Sequence, residues 1–93
     1  MIKSFRDNIT RSIWDRKRIK GFPGDIFNIV RRKLGFLEDA VDLVDLRIPP
    51  GNRLEALKGD REGQYSIRIN NQWRVCFRWK DGNTFDVEIT DYH

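Results

Sequence analysis

His93 is the one side chain here whose ordinary pKa, about 6.5, lets it exchange protons near neutrality, and it directly follows Asp91 and Tyr92. Upstream, Arg68, Arg74 and Arg78 alternate with apolar residues, which places them on one face of a sheet with Asp86, Glu88 and Tyr92, and with Cys76 among them. Cations interleaved with aromatic and acid–base groups suit single-stranded RNA, whose phosphates pair with guanidinium groups and whose bases stack on rings. The same residues would also make an ordinary solvated face laced with ion pairs such as Arg78 with Asp86 or Glu88. Cys76 is the only cysteine, so an internal disulfide is excluded, and one cysteine with one histidine does not make a Cys/His zinc site. Neither a metal nor a cofactor is expected, and a reducing compartment fits.

The 93 residues carry 18 basic against 14 acidic side chains, a net charge of +4. The surplus is N-terminal: residues 1–20 hold seven bases (Lys3, Arg6, Arg11, Arg16, Lys17, Arg18, Lys20) against Asp7 and Asp15. An anionic partner would be drawn to such a surface, although Arg16, Lys17 and Arg18 also have a local role in complementing the dipole at the end of a first helix. The length predicts a single domain over 1–93 and excludes a two-domain enzyme. No apolar run reaches the roughly 18 residues of a membrane span, and MIKSFRDNIT has no signal-peptide core, so a cytoplasmic protein without membrane contact is expected.

The elements that must position these groups follow from periodicity and punctuation. Ile2 to Phe5 reads as a short strand, and Asp7 or Asn8 can cap a helix to about Lys17 with Ile9, Ile13 and Trp14 on one face. After GFPGD, Asp25 is the expected N-cap of a second helix to about Asp39, with Ile26, Ile29, Val30, Leu34 and Leu37 at helical spacing. A short helical piece around Asp42 to Leu46 precedes Pro49, Pro50 and Gly51. From Arg53 the period becomes two: a weakly alternating strand to Leu57, then strands around Tyr65–Ile69, Trp73–Trp79 and Phe85–Ile89. Keeping apolar opposite apolar selects three-residue loops at 70–72 and 81–83, with Ile69 facing Trp73, Trp79 facing Phe85 and Arg74 facing Thr90. The expected fold class is α+β: a short N-terminal strand, two helices, then a four-stranded, mainly antiparallel sheet with the helices on one face.

The opening MIKSF, the segment LEALKGDREGQYSI at 54–67, NQWRVCFRW at 71–79 and the closing DYH resemble the HigB toxins, including the GraT-like branch, of the RelE/ParE superfamily. The resemblance runs the length of the chain and implies a RelE-like domain in the toxin of a type II toxin–antitoxin pair. The activity it implies is ribosome-dependent, metal-independent cleavage of translated mRNA. It implies as partners a HigA-like helix-turn-helix antitoxin, the small ribosomal subunit with its mRNA, and operator DNA indirectly through the antitoxin. Such cleavage needs a base near the 2′-OH, an acid near the leaving 5′ oxygen and cations around the phosphorus. The family's site maps onto Arg74, Asp91, Tyr92 and His93, with Lys58 matching its lysine. The register also brings Arg74 within diagonal reach of Tyr92. Lys17, Lys20, Lys58, Arg61, Arg68 and Arg78 are the candidates for gripping RNA and ribosome. One departure stands out: many HigB toxins have histidine where this chain has Glu55. Glu55 either serves as the base, as glutamate does in sister toxins, or marks weakened cleavage. A ParE-like gyrase poison and a noncatalytic RNA-binding module are the rival readings.

Overall fold

The computed structural model describes residues 1–17 and 19–91. Helix α1 spans Asn8–Trp14, and Asp7 caps it by accepting a 2.8 Å bond at Oδ1 from the Thr10 N–H. It stops before Lys17 because Arg16 turns left-handed (φ 64°), so that Arg16 and Lys17 donate backwards to the Ile13 and Ser12 carbonyls. Such a close to a helix usually uses glycine at the left-handed position. Helix α2 spans Phe27–Asp39, and Asp25 is not its N-cap. A 3-10 turn over Gly24–Ile26 enters the helix instead, because Pro23 fixes the backbone one residue earlier, and Asp25 remains exposed. Val30, Leu34 and Leu37 are fully buried along one stripe, whereas Ile9 and Ile29, placed on apolar faces by spacing, are 48% and 40% exposed. A 3-10 turn over Leu43–Arg47 follows, closed by a reciprocal capping box between Asp42 and Asp45.

Four antiparallel strands then pair in sequence order: β1 (Glu55–Ala56), β2 (Tyr65–Arg68), β3 (Trp73–Lys80) and β4 (Asn83–Asp91). The first is shorter than Arg53–Leu57 because Arg53 adopts a left-handed backbone (φ 45°, ψ 57°) that cannot extend a strand. Ile67, Val75, Phe77 and Val87 face the helices and close the core against Ile13, Val30, Leu34 and Leu37. Thr10 joins the layers: its hydroxyl, fully buried in α1, accepts a 3.0 Å bond from the Ile89 N–H of β4.

The two hairpins behave differently. The three-residue loop at 70–72 is present; Asn70 Oδ1 accepts from the N–H groups of Gln72 and Trp73 at 2.8 Å, and Arg68 pairs with Arg74. The second loop has two residues, Asp81 and Gly82, both left-handed (φ 52° and 78°) as the tight hairpin turn requires. Arg78 therefore lies opposite Phe85, and Trp79 opposite Thr84, one place away from the expected register. A bulge between the Arg78–Phe85 and Cys76–Glu88 pairs, with Asp86 left-handed at φ 52°, absorbs the slip, so Arg74 still faces Thr90. Its unpaired Asp86 N–H donates to Ser4 Oγ at 2.9 Å.

The short strand expected over Ile2–Phe5 is reduced to two isolated parallel bridges to β4, Ile2 with Thr84 and Phe5 with Val87. The bulge opposite prevents a continuous ladder. Four backbone bonds of 2.8–3.1 Å hold the segment there, joining Met1, Lys3, Ser4 and Arg6 to Thr84 and Val87.

Candidate active site

Arg74 projects from the start of β3 onto the sheet face away from the core, yet it is 5% exposed. Its Nε–H donates to Ser66 Oγ at 2.8 Å, and Nη2 donates to the Arg53 carbonyl at 2.8 Å. The left-handed turn at Arg53 brings that carbonyl within reach. Glu55 Oε2 lies 3.8 Å from Nη2, beyond hydrogen-bond distance but close enough for charge attraction. Register explains the convergence: Glu55 pairs with Ser66 on β2, and Ser66 is the diagonal neighbour of Arg74. Asp91 ends β4 opposite Trp73, one residue from the Arg74–Thr90 pair, and accepts from Gln72 Nε2 at 3.2 Å. Among the described residues, Thr90 Oγ1 is the one buried side-chain oxygen or nitrogen without a hydrogen-bond partner, and it lies on the strand facing Arg74. Tyr92 and His93 lie outside the described residues.

The face carries the exposed Arg78–Asp86 ion pair of the solvated-face reading, but its centre is not solvated. Ser66, Arg74 and Cys76 are all buried. Arg61, in a 3-10 turn over Gly59–Arg61, reaches across to β4 and donates to Glu88 Oε1 at 2.6 Å and to Gln64 Oε1 at 3.2 Å. Glu88, which also has Arg6 Nε at 3.7 Å, holds the Arg61 guanidinium above its usual pKa mainly through that hydrogen bond. Because Glu88 sits opposite Cys76, midway between Arg74 and Arg78 on β3, this pair forms a ridge that divides the face. Glu55 and Arg74 are on one side, whereas Asp91, paired with Trp73, has the opposite parity at the end of β4. Arg78 is on the other side of the ridge, exposed beside Asp86 at 3.5 Å and opposite Phe85.

The remaining candidates spread outward. Lys58 is exposed immediately before the turn that carries Arg61. Arg68 donates to Asn71 Oδ1 within its own hairpin. Lys17 and Lys20 are exposed in the connection from α1 to α2 and are not on the sheet. No three carboxylate, thiol or imidazole groups converge as metal ligands among the described residues. Sequence reasoning missed Ser66 and the Arg53 carbonyl; a serine at the outward parity of a strand gives no sign of burial.

A family model matches almost the whole chain. The RelE-like toxin of type II toxin–antitoxin system HigB matches residues 3–93. The chain belongs to this family. Among relatives of this HigB-like toxin, "Toxin HigB-1" of Vibrio cholerae is 45% identical over 83 residues, 88% of this chain and 87% of the relative. "Endoribonuclease HigB" of Proteus vulgaris is 29% identical over the full length of both. The HigB-like toxin also shares its fold with YafQ from E. coli (TM-score 0.62, 12% identity, 98% of this chain and 91% of that one). It likewise shares the fold of a chain in the YoeB–YefM complex from Staphylococcus aureus (TM-score 0.59, 17% identity, 100% of this chain and 98% of that one). Its place in a type II system makes an antitoxin its partner.

Proposed function

We propose that the protein is a ribosome-dependent endoribonuclease that cleaves translated mRNA without a metal, as one single-domain unit over 1–93. The observation that carries this reading is the convergence of Glu55 and Arg74 at 3.8 Å, beside the strand end that delivers Asp91. Arg74 would brace the scissile phosphate and offset the charge that builds on its oxygens. Glu55 would take the proton of the 2′-OH as that oxygen attacks phosphorus; the P–O5′ bond breaks, and the 5′ oxygen leaves with a proton from His93. The products are a 2′,3′-cyclic phosphate and a 5′-hydroxyl. Tyr92 would stack on a base or orient the nucleophile, and Asp91 would steer His93. The relative named an endoribonuclease supports the same chemistry.

Lys58, Arg68 and Arg78 would grip RNA from the rims of the face, and Lys17 and Lys20 would meet ribosomal RNA from the helical side. Arg61, tied to Glu88, contributes more to the wall of the site than to the grip. The antitoxin would be a HigA-like helix-turn-helix protein that brings the toxin to operator DNA, and the pair would act in the cytoplasm. Among the described residues no helix is long and apolar enough to cross a membrane. Mapping RNA ends in cells expressing the protein is the test. Cuts at codon-spaced positions confined to translated messages are expected; uncut messages would overturn the reading, and accumulated gyrase-dependent DNA breaks would replace it with gyrase poisoning.

A further inference from the structure

We infer that Ser66 is a positioning residue for cleavage: its hydroxyl, together with the Arg53 carbonyl, sets the plane in which Arg74 meets the scissile phosphate. The inference rests on the reading of Arg74 given above and adds a residue outside the site mapped by resemblance. Ser66 is fully buried, and its Oγ accepts from Arg74 Nε at 2.8 Å, while Nη2 of the same guanidinium donates to the Arg53 carbonyl at 2.8 Å. Bonds at two different nitrogens of one rigid, planar group restrain both its position and its tilt. Each bond fixes a direction that the other does not. A bidentate grip on phosphate depends on this orientation, since its two parallel N–H···O bonds form only when the guanidinium and two phosphate oxygens are nearly coplanar. Ser66 is suited to the task because it pairs with Glu55 on one side and Cys76 on the other, so the sheet itself holds the hydroxyl in place. A positioning group on a rigid element outperforms one on a loop, and an ångström of misplacement slows such reactions by about a hundredfold.

Removing the hydroxyl should therefore slow chemistry without loosening the ribosome complex. Ser66→Ala is expected to reduce single-turnover mRNA cleavage on ribosomes by roughly tenfold to a hundredfold, the range for losing a hydrogen bond to a charged group, with ribosome affinity unchanged. Arg74→Lys keeps the charge but places a methylene where Nε was, so adding Ser66→Ala to it should cost less than twofold more. The Arg74 Nε–H, followed by NMR hydrogen exchange in the full chain, should exchange slowly in the parent and rapidly in Ser66→Ala. If Ser66→Ala does not fold, Ser66→Cys, which keeps the volume with a weaker acceptor, carries the same comparison with a smaller expected loss. Parent-like cleavage by the serine variant, alongside slow cleavage by Arg74→Lys, would overturn the inference and spare the reading of Arg74. Equal losses from Ser66→Ala in both backgrounds would also overturn it. Parent-like cleavage by both Arg74→Lys and Arg74→Ala would instead overturn the reading of Arg74 itself.

Discussion

Glu55 occupies an intermediate position between ion pair and open carboxylate. Its side chain is 47% exposed, and Oε2 stands 3.8 Å from Arg74 Nη2, so attraction aligns it while its lone pairs stay available to a hydroxyl proton. Glu55→Gln keeps the shape and removes the basicity. Cleavage should fall by a factor on the order of 10² to 10⁴ with ribosome affinity nearly constant. A rate equal to the parent's would send the search for the base to Lys58, Asp91 or Tyr92. Gly63 makes a separate point about the far side of the ridge. Its φ is +90°, and a Cβ added there would come within 3.1 Å of Arg78 Nη1. Gly63→Ala should destabilise the fold by about 1 kcal/mol or more, chiefly through the backbone, since the Arg78 tip can move away. Urea titration would register this as a lower midpoint at constant slope.

The joints between elements are single polar contacts in apolar surroundings, and each can be removed alone. Thr10→Val preserves volume but strips the acceptor from the Ile89 N–H, a bond between α1 and β4. A loss of about 1–3 kcal/mol is expected, seen as a fall in Tm. Lys33 on α2 donates to Asn52 at 2.6 Å, and Asn52, fully buried, donates in turn to the Leu46 and Ile48 carbonyls. Burial, with Arg32 and Arg68 adding repulsion, lowers the Lys33 pKa below its ordinary 10.5. In the window between that lowered value and 10.5 the unfolded chain binds more protons than the folded one, so stability attributable to Lys33 rises with pH there. Measured against Lys33→Met across that window, the parent should gain stability; a constant difference would mean the ammonium is as well accommodated folded as unfolded.

These joints also mark what the sequence could reveal. Keeping Ile69 opposite Trp73 announces the first hairpin, which the Asn70 side chain closes, and the resemblance carried Arg74 and drew attention to Glu55. The second hairpin hid its length, because alternation in β4 looks unbroken while Asp86 quietly consumes one residue, and Phe85 thereby moves opposite Arg78. No periodicity reports an inserted residue whose neighbours remain polar–apolar in order. Ser66 and Cys76 were illegible for another reason: long charged side chains fold onto the face, Arg74 bonding Ser66 and Arg61 reaching the Glu88 opposite Cys76.

Over the whole molecule, charge is sorted rather than spread. Residues 1–20 hold seven bases against two acids, and Lys17 and Lys20 are exposed beyond α1, on a different part of the surface from Arg74. Alanine at either lysine should weaken ribosome binding and lower the slope of log affinity against log salt by roughly one unit, while cleavage of bound message proceeds at the parent rate. An unchanged slope would mean that these lysines only solvate the end of the helix.

The segment at 1–6 has a consequence for self-association. By lying along β4 it occupies the outer hydrogen-bonding edge of the longest strand in the sheet, and the opposite edge is only the two residues of β1. A long, unoccupied strand edge is a template for pairing with another molecule. Deleting residues 1–5 would uncover Thr84 and Val87 and their neighbours along β4, and light scattering should then report more concentration-dependent association than for the intact chain. Residues 1–5 thus act as a sacrificial neighbour, keeping the long edge of β4 from recruiting a strand of another molecule.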